Sequence, residues 1–397
     1  MGRWGRFGRE FVPADGPPSG PGSGQLAIVP AVLPDPLDEY PIHQSPLSMA
    51  RVATSDRNFY DRNYFNALDQ DGQNLLISGG GYYPNVGVKD AFLSLRRGDR
   101  QWTVRFSDSM DGREIVPRVG GWRLEIPEPL QKVRLICEHE SLSADLTWEG
   151  SFPSILEEPH LMLNGLRRPV LDAQRFAQLG SWSGSISVEG QSIEVNPSRW
   201  LGSRDRSWGI RPTGDPEPAG READNPNQGF WWLYVPLRFE TFALIVIVQE
   251  RPDGYRTLND ARRVFADGTV EQLGWPRVDF QYRSGTRHPE KASIHLTTPN
   301  GKPLLVEVET MTFQALHVGS GYGADPEWTH GQWKGPGWVN FTTYDYTDSQ
   351  IASRVPWGVI DHAARAVCDG EPGLGLFEHT SIGRHDPTGF ADFMSVA

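Results

Sequence analysis

Cysteine is scarce in this sequence. Cys137 and Cys368 are the only two among 397 residues. One sits in each half and no C-x-x-C spacing occurs, so neither a disulfide framework nor a zinc ribbon can organise the chain. Basic charge is also short: 38 Lys and Arg face 50 Asp and Glu, a formal net charge of −12. The one compact basic cluster is Arg3, Arg6 and Arg9, in a start rich in glycine and aromatics that leads into the Pro/Gly-rich stretch 13–24. Phosphate backbones and anionic lipid repel such a chain, which excludes nucleic acid as a partner. The longest apolar run, Phe242 to Val248, falls far short of the ~20 residues that span a bilayer, so no integral membrane segment is expected. No signal-peptide core precedes a small-residue cleavage site. Gly2 invites myristoylation, but Arg6 stands where Ser or Thr is needed. These absences together predict a soluble cytoplasmic protein with reduced cysteines.

Motifs are missing as well. There is no G-x-S-x-G elbow and no Walker loop, and the run Gly79-Gly80-Gly81 meets Pro84 where a dinucleotide fingerprint needs glycine. The ten histidines contain no H-x-H, H-x-x-x-H or H-E-x-x-H spacing. Neither a metal site nor a cofactor is called for.

What the sequence has is period-2 patterning. Trp102, Val104 and Phe106 alternate with polar neighbours, as do Trp122, Leu124 and Ile126, then Val133, Leu135 and Cys137, then Ala144, Leu146 and Trp148. Ile294 with Leu296 and Val306 with Val308 repeat the pattern in the second half. Asp-Gly at 71, 111, 253, 267 and 369 and Asn-Gly at 164 and 300 are hairpin dipeptides, able to take positive φ. Phe242–Val248 is apolar at every position and rich in β-branching, as in a strand covered on both faces. The best helical segments, Leu171–Leu179 and Asp361–Val367, are about two turns each, with Asp361 as an N-cap. The expectation is an all-β protein with few short helices: a leader (1–40) and two antiparallel barrel or sandwich domains (41–180 and 181–390). The polar stretch 212–228 reads as a long surface loop of the second.

One segment has unusual chemistry for a β protein. Trp200-Leu-Gly-Ser-Arg-Asp-Arg-Ser-Trp-Gly-Ile-Arg211 sets Arg204, Asp205, Arg206 and Arg211 beside two tryptophans. Charges enter apolar surroundings when paired. The segment therefore predicts a buried Asp205 bonded to Arg204, Arg206 or Arg211. Such a network can form the floor of a cavity walled by Trp208, or simply pin two sheets together. Other candidates are Glu378-His379, His330 in an aromatic-rich loop, and Trp231, Trp232 and Tyr234, which enter a strand after the long loop. Adjacent strand residues such as Glu378 and His379 point to opposite faces.

Gly202-Ser-Arg-Asp-Arg-Ser-Trp-Gly-Ile-Arg211 resembles the G-x-R-D-H-S-W-G-x-R signature of the AttH-like and carotenoid 1,2-hydratase superfamily. Tyr64-Phe65, Gly79-Gly-Gly-Tyr-Tyr-Pro-Asn85 and Gly373-Leu-Gly-Leu-Phe-Glu-His379 resemble further parts of it, so the likeness runs over residues 45–385. It implies twin lipocalin-like barrels and a hydratase-type activity. In hydratase members, a His two positions before the Trp is implicated in acid–base work. Here that position is Arg206, which does not release a proton near neutrality. The resemblance and the missing motifs together predict an enzyme of the hydro-lyase or isomerase/cyclase type. Its substrate would be a small apolar, isoprenoid- or steroid-like molecule. Asp205, Arg206, Trp208, Glu378 and His379 would be catalytic, and Trp231, Tyr234, His330 and Arg211 would bind substrate. A non-catalytic carrier of a lipophilic ligand is the alternative, and a homodimer is left open.

Overall fold

Alternating side chains and turn dipeptides of this kind favour hairpins, and the computed structural model is built from them. It describes residues 39–40, 52–110, 117–216, 229–323 and 325–397. Residues 1–38 of the expected leader, the Asp111-Gly112 turn and most of the 212–228 loop lie outside the described residues. The first part of the chain holds β1 (Phe59–Asp69), β2 (Asn74–Tyr83), β3 (Val88–Arg97), β4 (Arg100–Ser109), β5 (Arg118–Val119), β6 (Trp122–Glu128), β7 (Lys132–Cys137), β8 (Leu142–Gly150), β9 (Ile155–Leu156), β10 (His160–Leu163), β11 (Pro169–Val188), β12 (Gln191–Val195) and β13 (Trp200–Ile210). The second holds β14 (Phe230–Arg238), β15 (Phe242–Glu250), β16 (Arg256–Phe265), β17 (Val270–Gln272), β18 (Arg277–Tyr282), β19 (Pro289–Thr297), β20 (Pro303–Ala315), β21 (Trp338–Asp345), β22 (Ile360–Cys368) and β23 (Glu371–Ile382).

Two antiparallel sheets result. One runs β21-β4-β3-β2-β1-β13-β11-β8-β7-β6-β5, with β9, β10 and β12 also paired to β11; the other runs β17-β16-β15-β14-β23-β22-β20-β19-β18. β11 continues through Gly180, where a division of the chain was expected, and the change of sheet falls between Ile210 and Phe230. β21, from late in the chain, returns to the edge of the first sheet beside β4. The Asp369-Gly370 turn between β22 and β23 has positive φ at both residues, the I′ geometry that suits strand twist.

The two segments read as helical are strands. Leu171–Leu179 lies in β11 and Asp361–Val367 in β22, so Asp361 sits within a strand and caps nothing. Both strands are hydrogen-bonded on both sides, β11 between β13 and β8 and β22 between β20 and β23. Tertiary pairing outweighs the modest helix preference of their Leu, Ala and Gln residues. The α-helix among the described residues, Ser349–Arg354, is capped by Asp348, whose side chain accepts from the Gln350 amide at 2.8 Å.

Each sheet curls as a half-barrel around its own apolar core. The first core is rich in tryptophan, with Trp122, Trp148 and Trp182 fully buried. The second gathers Leu233, Val246, Val306 and Phe377. β15 is buried at all nine positions because its other face meets the first sheet: Ile245 and Ile247 cluster there with Ala177 and Leu179. A second seam cluster joins Tyr64, Leu68 and Ile77 to Ala363, Leu374 and Leu376. The sheets are thus packed outer face to outer face.

Gly202, in the unusual segment, has a steric reason. A Cβ there would lie 2.0 Å from the Asn66 carbonyl oxygen. That carbonyl accepts from Trp182 Nε1 at 2.8 Å, and the Trp182 ring meets Phe65 and Trp148 edge-on at 5.8 and 5.1 Å. Removing such a ring leaves a cavity and an unmet carbonyl. Trp182→Ala should cost about 3–5 kcal/mol in urea unfolding; a loss under about 1 kcal/mol would show that this core does not depend on the ring.

Candidate active site

Between the sheets lies a cavity of about 920 Å³, within the range of sites that take a drug-sized ligand. Residues opposite one another in an antiparallel ladder share a face, so the register writes out its walls. On the first sheet Tyr64 pairs with Asp205, and Asp205 with Ala177; one step along, Arg62 pairs with Ser207 and Ser207 with Arg175. On the second, Tyr234 pairs with Glu378 and Glu378 with Asp361. Tyr64, Asp205, Arg62, Arg175 and Glu378 all line the cavity.

The row on the second sheet has two carboxyl groups directly opposite each other, Asp361 fully buried and Glu378 half-buried at the cavity wall. Like charges at such a position repel, and in a dry seam two carboxylates cannot both ionise. Burial first, and then the charge of Glu378, hold Asp361 well above the usual carboxylate range. Burial also raises Glu378. With both raised, neither carboxyl gives up its proton as readily as an isolated one. The pair's outer bonds come from both sheets: Tyr64 Oη donates to Asp361 Oδ2 at 2.5 Å, and Trp232 Nε1 donates to Glu378 Oε1.

Opposite this pair stands a fixed cation. Arg175 donates through Nε to the buried Glu157, whose Oε2 also lies 3.3 Å from His160 Nε2. Burial alone would raise Glu157, but Arg175 and His160 outweigh it and keep the group ionised below the usual range. The Arg175 guanidinium covers the Tyr234 ring at 4.2 Å and lies 3.9 Å from Asp205. That distance is too long for a hydrogen bond. Burial therefore prevails at Asp205 and pushes it up to about 7; Arg175 opposes the shift, and Glu157 and Glu378 add to it. Asp205 thus changes charge near neutrality, the property a general acid or base needs. The Tyr234 hydroxyl and Arg175 Nη2 are buried without a hydrogen-bond partner.

The remaining wall is basic and aromatic. His330 Nε2 donates to the Ser320 carbonyl at 2.7 Å, which leaves Nδ1 to accept from Arg62 Nη1 at 2.6 Å. Burial, then Arg62 and Arg211, keep that imidazole neutral well below its ordinary range. Arg62 and Arg211 lie over the Tyr322 ring at 4.8 and 5.8 Å, and Arg211 also over Tyr60 at 4.8 Å.

Of the residues singled out from sequence, Asp205, Trp232, Glu378, His330 and Arg211 line this cavity, and Tyr234 lies in the Glu378 row. Strand alternation sends the others elsewhere. Arg204 and Arg206 point into the first half-barrel: Arg204 pairs with Glu39 at 2.6 Å, Arg206 with Asp61 at 2.7 Å. The expected bond from Asp205 to Arg204 or Arg206 is therefore impossible, and Arg175, two strands from β1, supplies its nearest cation. Trp208 shares the parity of Arg206 and is not among the lining residues. Trp231 and His379 face the core of the second half-barrel, their rings 5.3 Å apart, and burial presses His379 down to about 3. Sequence reasoning missed Arg62, Glu157, His160, Arg175, Tyr322 and Asp361. Arg175 and Asp361 were hidden by the helical reading of their segments; the parity of Trp232 with Tyr234 was legible and marks Trp232, not Trp231, as the cavity residue.

The sequence matches a family of unknown function, DUF8625, over residues 35–391. No curated protein matches it. Among solved structures, a protein from Nitrosomonas europaea assigned to AttH superposes with a TM-score of 0.50 at 15% identity, over 81% of this chain and 92% of that one. Kievitone hydratase from Nectria haematococca gives 0.45 at 12%, over 81% and 88%. CghA gives 0.48 at 11%, over 83% and 89%. The fold is thus of the AttH type, in agreement with the likeness read from the motif.

The raised Asp205 carboxyl has a thermodynamic consequence. Unfolded, it releases its proton near the ordinary 3.8; folded, it keeps it to about 7. Between those values the folded state holds the extra proton, so this group's contribution falls as pH rises, by on the order of 4 kcal/mol across the window. Asp205→Asn mimics the protonated form. It should melt with the parent at pH 4 and several degrees above it at pH 8; parallel melting curves from pH 4 to 8 would mean that Asp205 does not titrate in this range.

Proposed function

We propose that this chain, which belongs to the family DUF8625, is an enzyme of cofactor-independent acid–base chemistry. It would act on a largely apolar, isoprenoid- or steroid-like substrate held between its two sheets. One observation carries the reading: a carboxyl pushed up to about 7, Asp205, shares an aromatic-walled cavity with Glu378, a carboxyl also raised by burial and backed by Asp361. Two acid groups of different proton affinity facing one space are what proton transfer at two positions of one substrate requires.

The chemistry follows from that pairing. Hydration of an alkene needs a proton delivered to carbon, a cation tolerated beside it, and a water that loses a proton as it adds. Protonated Asp205 would deliver the first proton. The rings of Tyr64 and Trp232 would shield the cation. The Glu378 carboxylate would accept the proton of the adding water, and exchange with solvent would restore both groups. The reverse sequence is dehydration. Loss of a neighbouring C–H proton to Glu378, in place of water addition, moves the double bond; if a second alkene of the substrate first attacks the cation, the same proton loss ends a ring closure. Asp361 is a positioning residue here, since it stands directly against Glu378, while Tyr64 bonds Asp361 and Trp232 bonds Glu378 as their rings face the substrate. Arg206, Trp208, Trp231 and His379 have no part in this proposal, because they do not line the cavity.

The test offers terpenoid alkenes and alcohols to the protein in ¹⁸O- and deuterium-labelled water and follows incorporation by mass spectrometry. Turnover is expected, with Asp205→Asn and Glu378→Gln each lowering it about 10²–10⁴-fold while both variants still bind substrate. Tight binding without incorporation or rearrangement in the parent would replace this reading with that of a lipophile carrier.

A further inference from the structure

Two guanidiniums that line the cavity, Arg62 and Arg211, stand apart from its carboxyls. Arg175 is matched by Glu157. Asp361 and Glu378 are both raised, which reduces their negative charge, and Asp205 is only partly ionised at neutrality. Arg62 and Arg211 remain, and among the described residues neither has a carboxylate within salt-bridge distance. Asp90, behind Arg62, does not supply one: its oxygens are taken by the Gly331 amide at 2.6 Å and Tyr83 at 3.2 Å, and burial pushes it up to about 7.

Arg62 is 3% exposed, and its Nε has no hydrogen-bond partner. Its Nη2 lies 2.9 Å from His330 Nε2, a nitrogen that already donates to Ser320, so the two N–H groups cannot satisfy each other. A buried guanidinium with idle donors is costly unless an anion meets it. Arg211 flanks the same Tyr322 ring, is half-buried over two phenol rings and lines the same cavity.

We propose that Arg62 and Arg211 form an oxyanion subsite, so that the substrate of this cavity is an organic acid whose carboxylate or acidic enolate docks beside Tyr322 and His330. The assignment rests on the reading above that the cavity holds the substrate, and it adds the substrate's class. The anion anchors one end at the two guanidiniums, and the apolar body lies toward Tyr64 and Trp232, with Asp205 and Glu378 alongside. Arg presents paired N–H donors that match the two oxygens of a carboxylate or of a β-dicarbonyl enolate.

Calorimetric titration of the full chain with matched probes tests this: naphthalene-2-carboxylate against its methyl ester, and 4-hydroxycoumarin against 4-methoxycoumarin. At least one anion should bind ten-fold or more tighter than its neutral partner, and which one does identifies carboxylate or enolate as the group recognised. Arg211→Gln and Arg62→Gln should each reduce that preference at least five-fold, weakening the anion far more than its neutral partner; Arg211, being half-buried, keeps the test open should Arg62→Gln fail to fold. Equal binding of acid and neutral partner, equal loss of both in the variants, or no binding of any probe overturns the subsite. If the preference is absent while labelled-water turnover persists, the subsite fails and the acid–base reading stands. If the preference is present without turnover, the subsite stands in a carrier.

Discussion

Two curled sheets, each with its own apolar core, are packed outer face to outer face, and the seam between them holds the titratable groups of the cavity. In such a seam a carboxyl has no water to stabilise its anion, so a neighbour within hydrogen-bonding reach decides its state. Glu157 and Asp205 show how finely. Both are buried and both answer to Arg175. Glu157 receives its Nε–H and stays ionised below the ordinary range, whereas Asp205, 3.9 Å from Nη1, is left at about 7. A difference in reach to one guanidinium separates a structural anion from a titrating acid. Among the described residues no cation lies within salt-bridge distance of Asp361 or Glu378, and the same constraint raises both.

The unusual arginine-rich segment is best understood as two half-motifs interleaved on one strand. Even-numbered residues Arg204 and Arg206 enter the first half-barrel, where Glu39, Asp61 and Asn63 take up their donors. Odd-numbered Asp205 and Ser207 face the cavity. The strand can carry both because its two neighbours, β1 and β11, supply partners on each face: Asp61 and Asn63 inward, Tyr64 and Arg175 outward. A charged strand in the middle of a sheet is tolerable only when both faces are answered in this way. The Arg that replaces His in the related signature is therefore an inward residue here, bonded to Asp61 and to the Glu39 carbonyl, and its side chain is remote from the proposed chemistry.

Much of this protein was already set by residue order. The alternation of Trp102, Val104 and Phe106, or of Val133, Leu135 and Cys137, leaves one face apolar, and burial of that face makes a strand and a curled sheet. The Asp369-Gly370 dipeptide tolerates positive φ and closes its hairpin. Phe242–Val248, apolar throughout, had to be covered on both faces, which implied two layers. Asp205, Glu378, His330 and Arg211 stood out as charged or titratable groups in apolar company. What residue order could not decide was which strands lie side by side. Leu171–Leu179 and Asp361–Val367 have no strong alternation and became strands because partners on both edges claimed their backbone hydrogen bonds. Through them Arg175 and Asp361 entered the site. Asp361 meets Glu378 across 17 positions of sequence and Tyr64 across 297, and the protonation of these groups depends on distances set by the packing of one sheet on the other. Periodicity reports the face a residue occupies; the electrostatic state of that residue belongs to the groups that packing brings to it.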